Sequence, residues 1–135
     1  MKATFLIIIG FSFFLEANNT VIDSKTNLEW QDNSESNSTR IKWIDAISYC
    51  EKLDLDSKND WRLPNKNELL SIVDYNRDNP AIKNIFTYIA NDSYLSSTTS
   101  HRYYDSVWAV SFRDGGSGYY GKFNTFYVRC VRGGK

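Results

Sequence analysis

Residues 60–65, DWRLPN, form the stretch from which the rest of the fold can be argued. Trp61 and Leu63 are two residues apart, so an extended segment places both side chains on one face and Arg62 on the other. Pro64 restricts Leu63 to extended conformations and ends the strand-like piece. The stretch therefore predicts a short extended segment that stops abruptly after Leu63.

The residues that follow predict the start of a helix. Asn65 is a favourable N-cap, and Glu68 three residues later completes a capping box. Because capping already accounts for Glu68, we interpret this corner as structural and assign a catalytic role to neither Glu68 nor Arg62. The apolar positions of the predicted helix are Leu69, Leu70, Ile72 and Val73.

Two other segments show helical periodicity. The first is an amphipathic helix in which Cys50 faces the core, and residues 81–89 predict one or two further helical turns. The apolar positions of the first helix are Trp43, Ile44, Ile47, Cys50 and Leu53.

The chain after Tyr94 has the alternation that is typical of strands. Four runs, YLSSTT, VWAVSF, residues 118–123 and residues 126–132, are separated by short polar or glycine-rich links that favour hairpins. We expect an antiparallel meander in which Trp108, Val110 and Phe112 share one face of their strand.

Length and charge exclude some classes of protein. A chain of 135 residues with 41% hydrophobic content supports one compact domain. Sixteen basic and sixteen acidic side chains cancel, which argues against a nucleic-acid binder. From Tyr75 onward, however, 8 basic and 4 acidic side chains give a net charge of +4. This basic half could attract the acidic half of the chain or leave a basic face for an anionic partner.

The first residues are typical of a signal peptide. Lys2 precedes the apolar run of residues 5–15, which is too short to span a bilayer. We expect residues 1–17 to be removed after Ala17 and residues 18–135 to form a domain that is secreted, periplasmic or displayed at the cell surface, without stable membrane insertion. The alternative is an uncleaved membrane tether.

Cys50 and Cys130 are the two cysteines of the chain. In an oxidising compartment an even pair this far apart predicts a disulfide. Two thiols and the single His101 fall short of a structural zinc site, so we predict no metal and no cofactor.

Two further clusters could carry chemistry. Asp54, Asp56, Asn59 and Asp60 offer oxygen ligands, but their spacing does not match a calcium loop, and a solvated acidic loop is the favoured interpretation. His101 lies between Ser100 and Asp105, and such close neighbours seldom build a catalytic triad. The sequence therefore predicts a protein without enzymatic activity.

The β half contains a mixture of aromatic and basic side chains that suits sugar stacking and anionic groups. If residues 126–132 form one strand with Val128 and Cys130 inward, Tyr127 and Arg129 face outward. The alternative is that the tyrosines pack in the core or across strands. The predicted ligand-binding residues are Arg102, Tyr103, Tyr104, Arg113, Lys122, Tyr127 and Arg129.

Taken in order, the blocks DSKTNLEWQ, KWIDAISYC, DWRLPNKNELLSIVDYNRDNPAI, YLSSTT, VWAVSF and YVRCVR resemble the Lcl C-terminal domain family of exported bacterial proteins, which includes a collagen-like adhesin. The YC-ending helix followed by RLPN is also similar to the core of formylglycine-generating enzymes. The resemblance implies an α+β, C-type-lectin-like fold with two helices on small antiparallel sheets and the two cysteines joined.

The resemblance also implies a function. The adhesin domain is associated with binding sulfated glycosaminoglycans and with trimer formation, so we expect an adhesion module that recognises anionic or polar glycans. A structural or assembly module of the cell envelope, including a homo-oligomer, is the alternative. This chain departs from the family at Leu95, usually Trp, and at Asn27, usually Gly, and lacks collagen repeats.

Overall fold

The computed structural model describes residues 3–10 and 18–134. Residues 3–10 form neither helix nor strand and are exposed, and the predicted cleavage position after Ala17 lies outside the described residues. Neither α-helix among the described residues has the length and apolar character needed to cross a membrane.

Within the described residues, eight strands, two α-helices and one 3-10 helix follow one another. In order they are β1 (Thr20–Ile22), β2 (Glu29–Gln31), the 3-10 helix (Ser34–Asn37), β3 (Arg40–Lys42), α1 (Trp43–Lys52), α2 (Lys66–Ser71), β4 (Ser93–Thr99), β5 (Ser106–Ser111), β6 (Ser117–Gly121), β7 (Thr125–Tyr127) and β8 (Val131–Arg132).

The strands form two small sheets. A three-stranded sheet has the order β1-β2-β8, and a five-stranded sheet has the order β3-β7-β4-β5-β6. Strands β4, β5 and β6 form the predicted antiparallel meander, whereas β7 crosses to the other side and pairs with β4 in parallel. The α+β class with two helices on small sheets is confirmed.

The five-stranded sheet separates two hydrophobic cores. Alternate side chains of β5 enter different cores: Val110 packs with Leu69 of α2, and Val107 packs with Cys50 of α1. Because successive side chains of a strand point to opposite faces, the two helices cover opposite faces of this sheet. Neither helix covers the whole width of the sheet, since α1 and α2 are ten and six residues long.

The DWRLPN stretch has the predicted conformation. Trp61 and Leu63 are buried in the core beneath α1, while Arg62 points to the other side and pairs with Glu68, with an Nη1–Oε1 distance of 2.7 Å. The Asn65 side chain accepts the Glu68 amide at 2.8 Å, and the Glu68 side chain accepts the Asn65 amide at 2.9 Å. The capping box is confirmed.

The predicted helical turns at residues 81–89 are wrong. The segment is irregular, although Ile82 and Phe86 do enter the core. Its backbone amides at Thr87 and Tyr88 donate to the carboxylate of Asp32, each at 2.9 Å. A carboxylate from a distant part of the chain therefore satisfies amides that a helix would otherwise have bonded internally.

Two predictions about α1 have opposite outcomes. Ile44 was expected on the apolar face, but its side chain is 64% exposed at the start of the helix. Cys50 is buried and forms the predicted disulfide with Cys130, across a Cα–Cα distance of 5.5 Å. The bond joins α1 to the chain just before β8, so it ties the helix to the small sheet.

Candidate ligand-binding site

The predicted outward orientation of Arg129 is wrong, because its side chain is fully buried. Strand β7 ends at Tyr127, and residues 128–130 carry the chain from the five-stranded to the three-stranded sheet, so simple alternation does not continue. The Arg129 guanidinium donates to the Gln31 carbonyl at 2.6 Å and to the Tyr88 carbonyl, and it pairs with Asp32 at 3.1 Å. Arg129 is therefore a structural residue.

Tyr127 is also largely occupied by protein contacts. Its ring centroid lies 5.6 Å from that of the buried Tyr94, and the Arg40 guanidinium lies 5.0 Å from the Tyr127 ring. Arg40 in turn forms an exposed ion pair with Asp92. Tyr127 thus has a neighbour on each side and offers less open ring surface than an exposed tyrosine.

Arg102 and Tyr103 belong to a row of side chains that we call the basic aromatic strip. The Tyr103 and Tyr119 ring centroids are 5.5 Å apart, and Trp108 meets Tyr119 edge to face at 5.3 Å. A cation lies at each end. The Arg102 guanidinium is 5.9 Å from the Tyr103 ring, and Lys66 Nζ is 3.5 Å from the Trp108 ring.

Strand register explains the centre of the strip. Trp108 of β5 and Tyr119 of β6 are direct cross-strand partners, so their side chains share one face of the sheet. Trp108 has the same parity as the core residue Val110, as expected from the sequence. The first residue of α2, Lys66, covers Trp108 and leaves it half-buried.

Local hydrogen bonds hold the two ends of the strip. The Ser100 hydroxyl accepts the amides of Arg102 and Tyr103, at 3.2 and 3.4 Å, which turns the β4–β5 loop back on itself. At the other end, the Lys66 amide donates to Thr98 Oγ1 of β4 at 2.9 Å. The start of α2 is therefore anchored beside the strip.

The strip cations differ from most of the other cations near the core. Within the described residues neither Lys66 nor Arg102 forms an ion pair, whereas Arg62, Lys83 and Arg132 each pair with a carboxylate. Tyr103 and Tyr119 are 48% and 43% exposed. The strip thus presents open ring surface between two cations that have no counter-charge.

The remaining predicted residues lie elsewhere. Tyr104 is exposed in the same loop as Arg102, but Arg113 follows β5 at its opposite end. Lys122 lies in the β6–β7 turn, with Nζ 4.6 Å from the Trp43 ring. The structure therefore brings Arg102 and Tyr103 together and leaves Arg113 and Lys122 apart from them.

Sequence reasoning left Lys66 and Trp108 out of the predicted site. Trp108 was assigned to the apolar face of β5, and Lys66 lies on a helix far away in sequence. No local pattern links the two, because their contact depends on where α2 packs on the sheet. The pairing of Trp108 with Tyr119 could have been found from the hairpin register alone.

A second surface lies at the start of α1. A groove of about 460 Å³ is bordered by Trp43, Ile44, Lys42, Asp45, Lys122 and Phe123. Phe123 is 80% exposed at the tip of its turn, and Ile44 is 64% exposed. Lys122 belongs to this groove rather than to the strip.

The clusters considered for chemistry are engaged in protein contacts. Asp60 accepts hydrogen bonds from Arg132, at 2.6 and 3.1 Å, and Asp56 accepts one from Asn19 at 3.0 Å. No group of three or more potential metal ligands occurs in residues 3–10 and 18–134. The Ser100 hydroxyl, next to His101, is engaged with backbone amides.

Comparison with known proteins identifies the family. A model of the Lcl C-terminal domain matches residues 19–132, which is nearly all of the folded part of the chain. No curated protein matches the sequence. The chain therefore belongs to the Lcl C-terminal domain family, whose members are domains of bacterial surface proteins.

Proposed function

We propose that this domain is an exported, non-enzymatic binding module whose basic aromatic strip recognises anionic glycans. The observation that carries the proposal is the placement of Arg102 and Lys66. Arg102 flanks the exposed ring of Tyr103 and Lys66 the half-buried ring of Trp108, and neither cation has a carboxylate partner among the described residues. A ligand anion would supply the missing counter-charge.

The chemistry of the strip fits a sulfated or carboxylated sugar. Aromatic rings offer apolar faces on which a sugar ring can stack, and Tyr hydroxyls can bond to its polar groups. Guanidinium and ammonium groups make charge-assisted hydrogen bonds to sulfate and carboxylate oxygens. Rings in the middle and cations at the ends can thus contact one acidic oligosaccharide at several points.

Three observations support export. The buried disulfide fits an oxidising compartment, where such bonds form and persist. The family consists of bacterial surface domains. The apolar run of residues 5–15 after Lys2 is typical of a signal peptide. We propose that the domain acts in the periplasm, at the cell surface or outside the cell.

Binding of heparin to the domain tests the proposal. We expect affinity at low salt that weakens as ionic strength rises, because exposed charges are screened beyond roughly 8 Å at physiological salt. The Lys66→Met/Arg102→Met variant should bind at least about tenfold more weakly, since each lost charge-assisted bond costs about 1.5 to 3 kcal/mol. Titration calorimetry measures both effects.

Two matched variants make this test specific. Lys52→Met removes an exposed cation from α1 and should leave heparin affinity unchanged. Arg113→Met/Lys122→Met removes two cations outside the strip and should have a smaller effect than the strip variant. Equal losses in both double variants would indicate a diffuse basic surface, and no heparin binding at low salt would contradict the proposal.

The groove at Ile44 and Phe123 favours assembly as the second candidate function. Large apolar side chains that are this exposed are common where another protein docks. If assembly is the function, the domain should form an oligomer in light scattering, and Phe123→Ser should convert it to monomers. A monomeric wild-type domain at high concentration would contradict assembly into homo-oligomers.

A further inference from the structure

We propose that the reverse face of strands β4, β5 and β6 carries a second binding site, which takes a neutral sugar residue. A polar groove of about 330 Å³ lies there, on the side of the sheet opposite to the strip. Among the residues that the structure describes, no basic side chain borders it. Its lining includes Ser93, Ala109, Ser111, Asp114, Gly118 and Tyr120.

Strand register places these residues on one face. Ser93 of β4 pairs with Ser111 of β5, and Ala109 of β5 pairs with Gly118 of β6. Tyr120 is two residues beyond Gly118, so it shares that face. Trp108 and Tyr119 have the opposite parity and belong to the strip, so the two sites share no side chain.

The groove presents polar groups that the protein leaves unpaired. Within the described residues, the hydroxyls of Ser93 and Tyr120 have no hydrogen-bond partner. Asp114 uses Oδ1 to accept the Gly116 amide at 2.8 Å, which leaves Oδ2 open. The Ser111 hydroxyl accepts the Arg113 amide at 3.2 Å and keeps its own proton to donate.

The Tyr120 side chain forms one wall of the site. A Cβ at Gly118 would lie 3.1 Å from the Tyr120 hydroxyl and 3.2 Å from its ring, so the glycine lets the Tyr120 side chain pack over this position. The Tyr120 ring is held from behind by Phe126, with centroids 4.9 Å apart.

These groups together define the ligand class. Hydroxyls both donate and accept, a carboxylate oxygen accepts only, and a tyrosine ring stacks against an apolar face. A neutral sugar has adjacent hydroxyls and an apolar ring face, so it can use all three kinds of group. Asp114 disfavours an anionic ligand, which would instead bind the strip.

Amide chemical shifts of the labelled domain, measured with lactose, maltose and mannobiose in turn, test the proposal. We expect at least one of these neutral disaccharides to shift the amides of Ser93, Ser111, Gly116 and Gly118. Asp114→Asn should weaken that binding by about tenfold, because it removes the charge of an acceptor. Gly118→Val should weaken it as well, because the added side chain would displace the Tyr120 hydroxyl from its place beside Gly118, while removing no polar group.

The heparin experiment separates this proposal from the function of the strip. Asp114→Asn should leave heparin binding intact, and Lys66→Met should leave disaccharide binding intact. The second site is overturned if no disaccharide shifts those four amides, or if Asp114→Asn binds like the wild type. Neither result would affect the evidence for the strip.

Discussion

The cations at the junction between the two sheets and the cations of the basic aromatic strip have different partners. Where the small sheet meets the larger one, Arg129 and Arg132 contact carboxylates. In the strip, Lys66 at the start of α2 and Arg102 in the β4–β5 loop contact aromatic rings and no carboxylate among the described residues. The contrast teaches that the partner of a cation, rather than its position on a strand, decides whether it is available to a ligand.

At the junction between the two sheets, acidic and basic side chains are paired with one another. Arg132 lies between Glu29 and Asp60, at 2.6 Å from each, and Lys58 also pairs with Glu29 at 2.7 Å. Hydrogen bonding to Arg132 holds the pKa of Asp60 below its usual value. Burial alone would raise the pKa of Glu29, but its bonds to Lys58 and Arg132 outweigh burial and lower it. Each charge there already has a counter-charge.

We expect the largest effect on the free energy of unfolding at Arg129. Arg129→Met should lower the free energy of unfolding by roughly 3 to 5 kcal/mol, because it leaves Asp32 as a buried, uncompensated charge. Chemical denaturation measures the loss. The exposed Arg113→Met is the matched control and should change stability by less than about 0.5 kcal/mol.

A second substitution at Asp32 isolates the contribution of charge. The Asp32→Asn/Arg129→Met variant should be more stable than the sum of the two single losses predicts, with a coupling energy of about 0.5 to 3 kcal/mol. Additive losses would mean that the backbone bonds of Arg129, rather than its pairing with Asp32, account for the effect.

The disulfide should have the next largest effect. Cys50→Ala/Cys130→Ala should cost about 3 kcal/mol, because the bond closes a long loop that the unfolded chain would otherwise open. Thermal and chemical denaturation of the purified, oxidised protein measure the loss. Two free thiols detected by mass labelling in the native protein would contradict the bond itself.

The Arg62–Glu68 pair is half-buried, so its expected effect on stability lies between that of the buried Arg129 and that of the strip cations. Burial raises the pKa of Glu68, but hydrogen bonds from Arg62 and the Asn65 amide lower it below 4.5 overall. The pair therefore stabilises the domain above about pH 4.5, and this contribution is lost as pH falls through the lowered pKa. Glu68→Gln should cost about 1 kcal/mol near pH 7 and less in acid.

A pH series of denaturation curves measures this difference. The gap between wild type and Glu68→Gln should narrow steadily below pH 4.5. A gap that is constant with pH would assign the loss to capping alone.

The smallest loss of stability is expected in the strip. Lys66→Met should lower the free energy of unfolding by no more than about 0.5 to 1 kcal/mol, the size of an exposed cation–π contact. The same substitution should still weaken heparin binding. If Lys66→Met destabilises the domain as much as Arg129→Met, the distinction between structural and available cations fails.

Local chemistry made part of this fold predictable. The Asn65–Glu68 capping box involves residues three positions apart, and the cysteine pair needed only an oxidising compartment and two thiols. The strands β4 to β6 followed from alternation and turn residues. These features depend on residue type and on short-range spacing, so they can be predicted from the sequence.

The wrong predictions concern residues whose surroundings depend on contacts between distant parts of the chain. Arg129 is buried because the chain changes sheets just where alternation was assumed to continue. The apolar side chains of residues 81–89 have helical spacing, but the backbone amides of Thr87 and Tyr88 donate to the Asp32 carboxylate. Only part of the strip could be predicted, because the position of Lys66 depends on how α2 packs on the sheet.

The Cys50–Cys130 bond also determines how the domain carries mechanical load. It closes a covalent loop over a sequence separation of 80, and all five strip residues lie inside that loop. Tension applied through the flanking chain passes across the sulfur bridge, so the enclosed backbone cannot be drawn out while the bond is intact. Only the segments before Cys50 and after Cys130 can lengthen. A glycan held on the strip would therefore be bound to backbone that the disulfide shields from the tension.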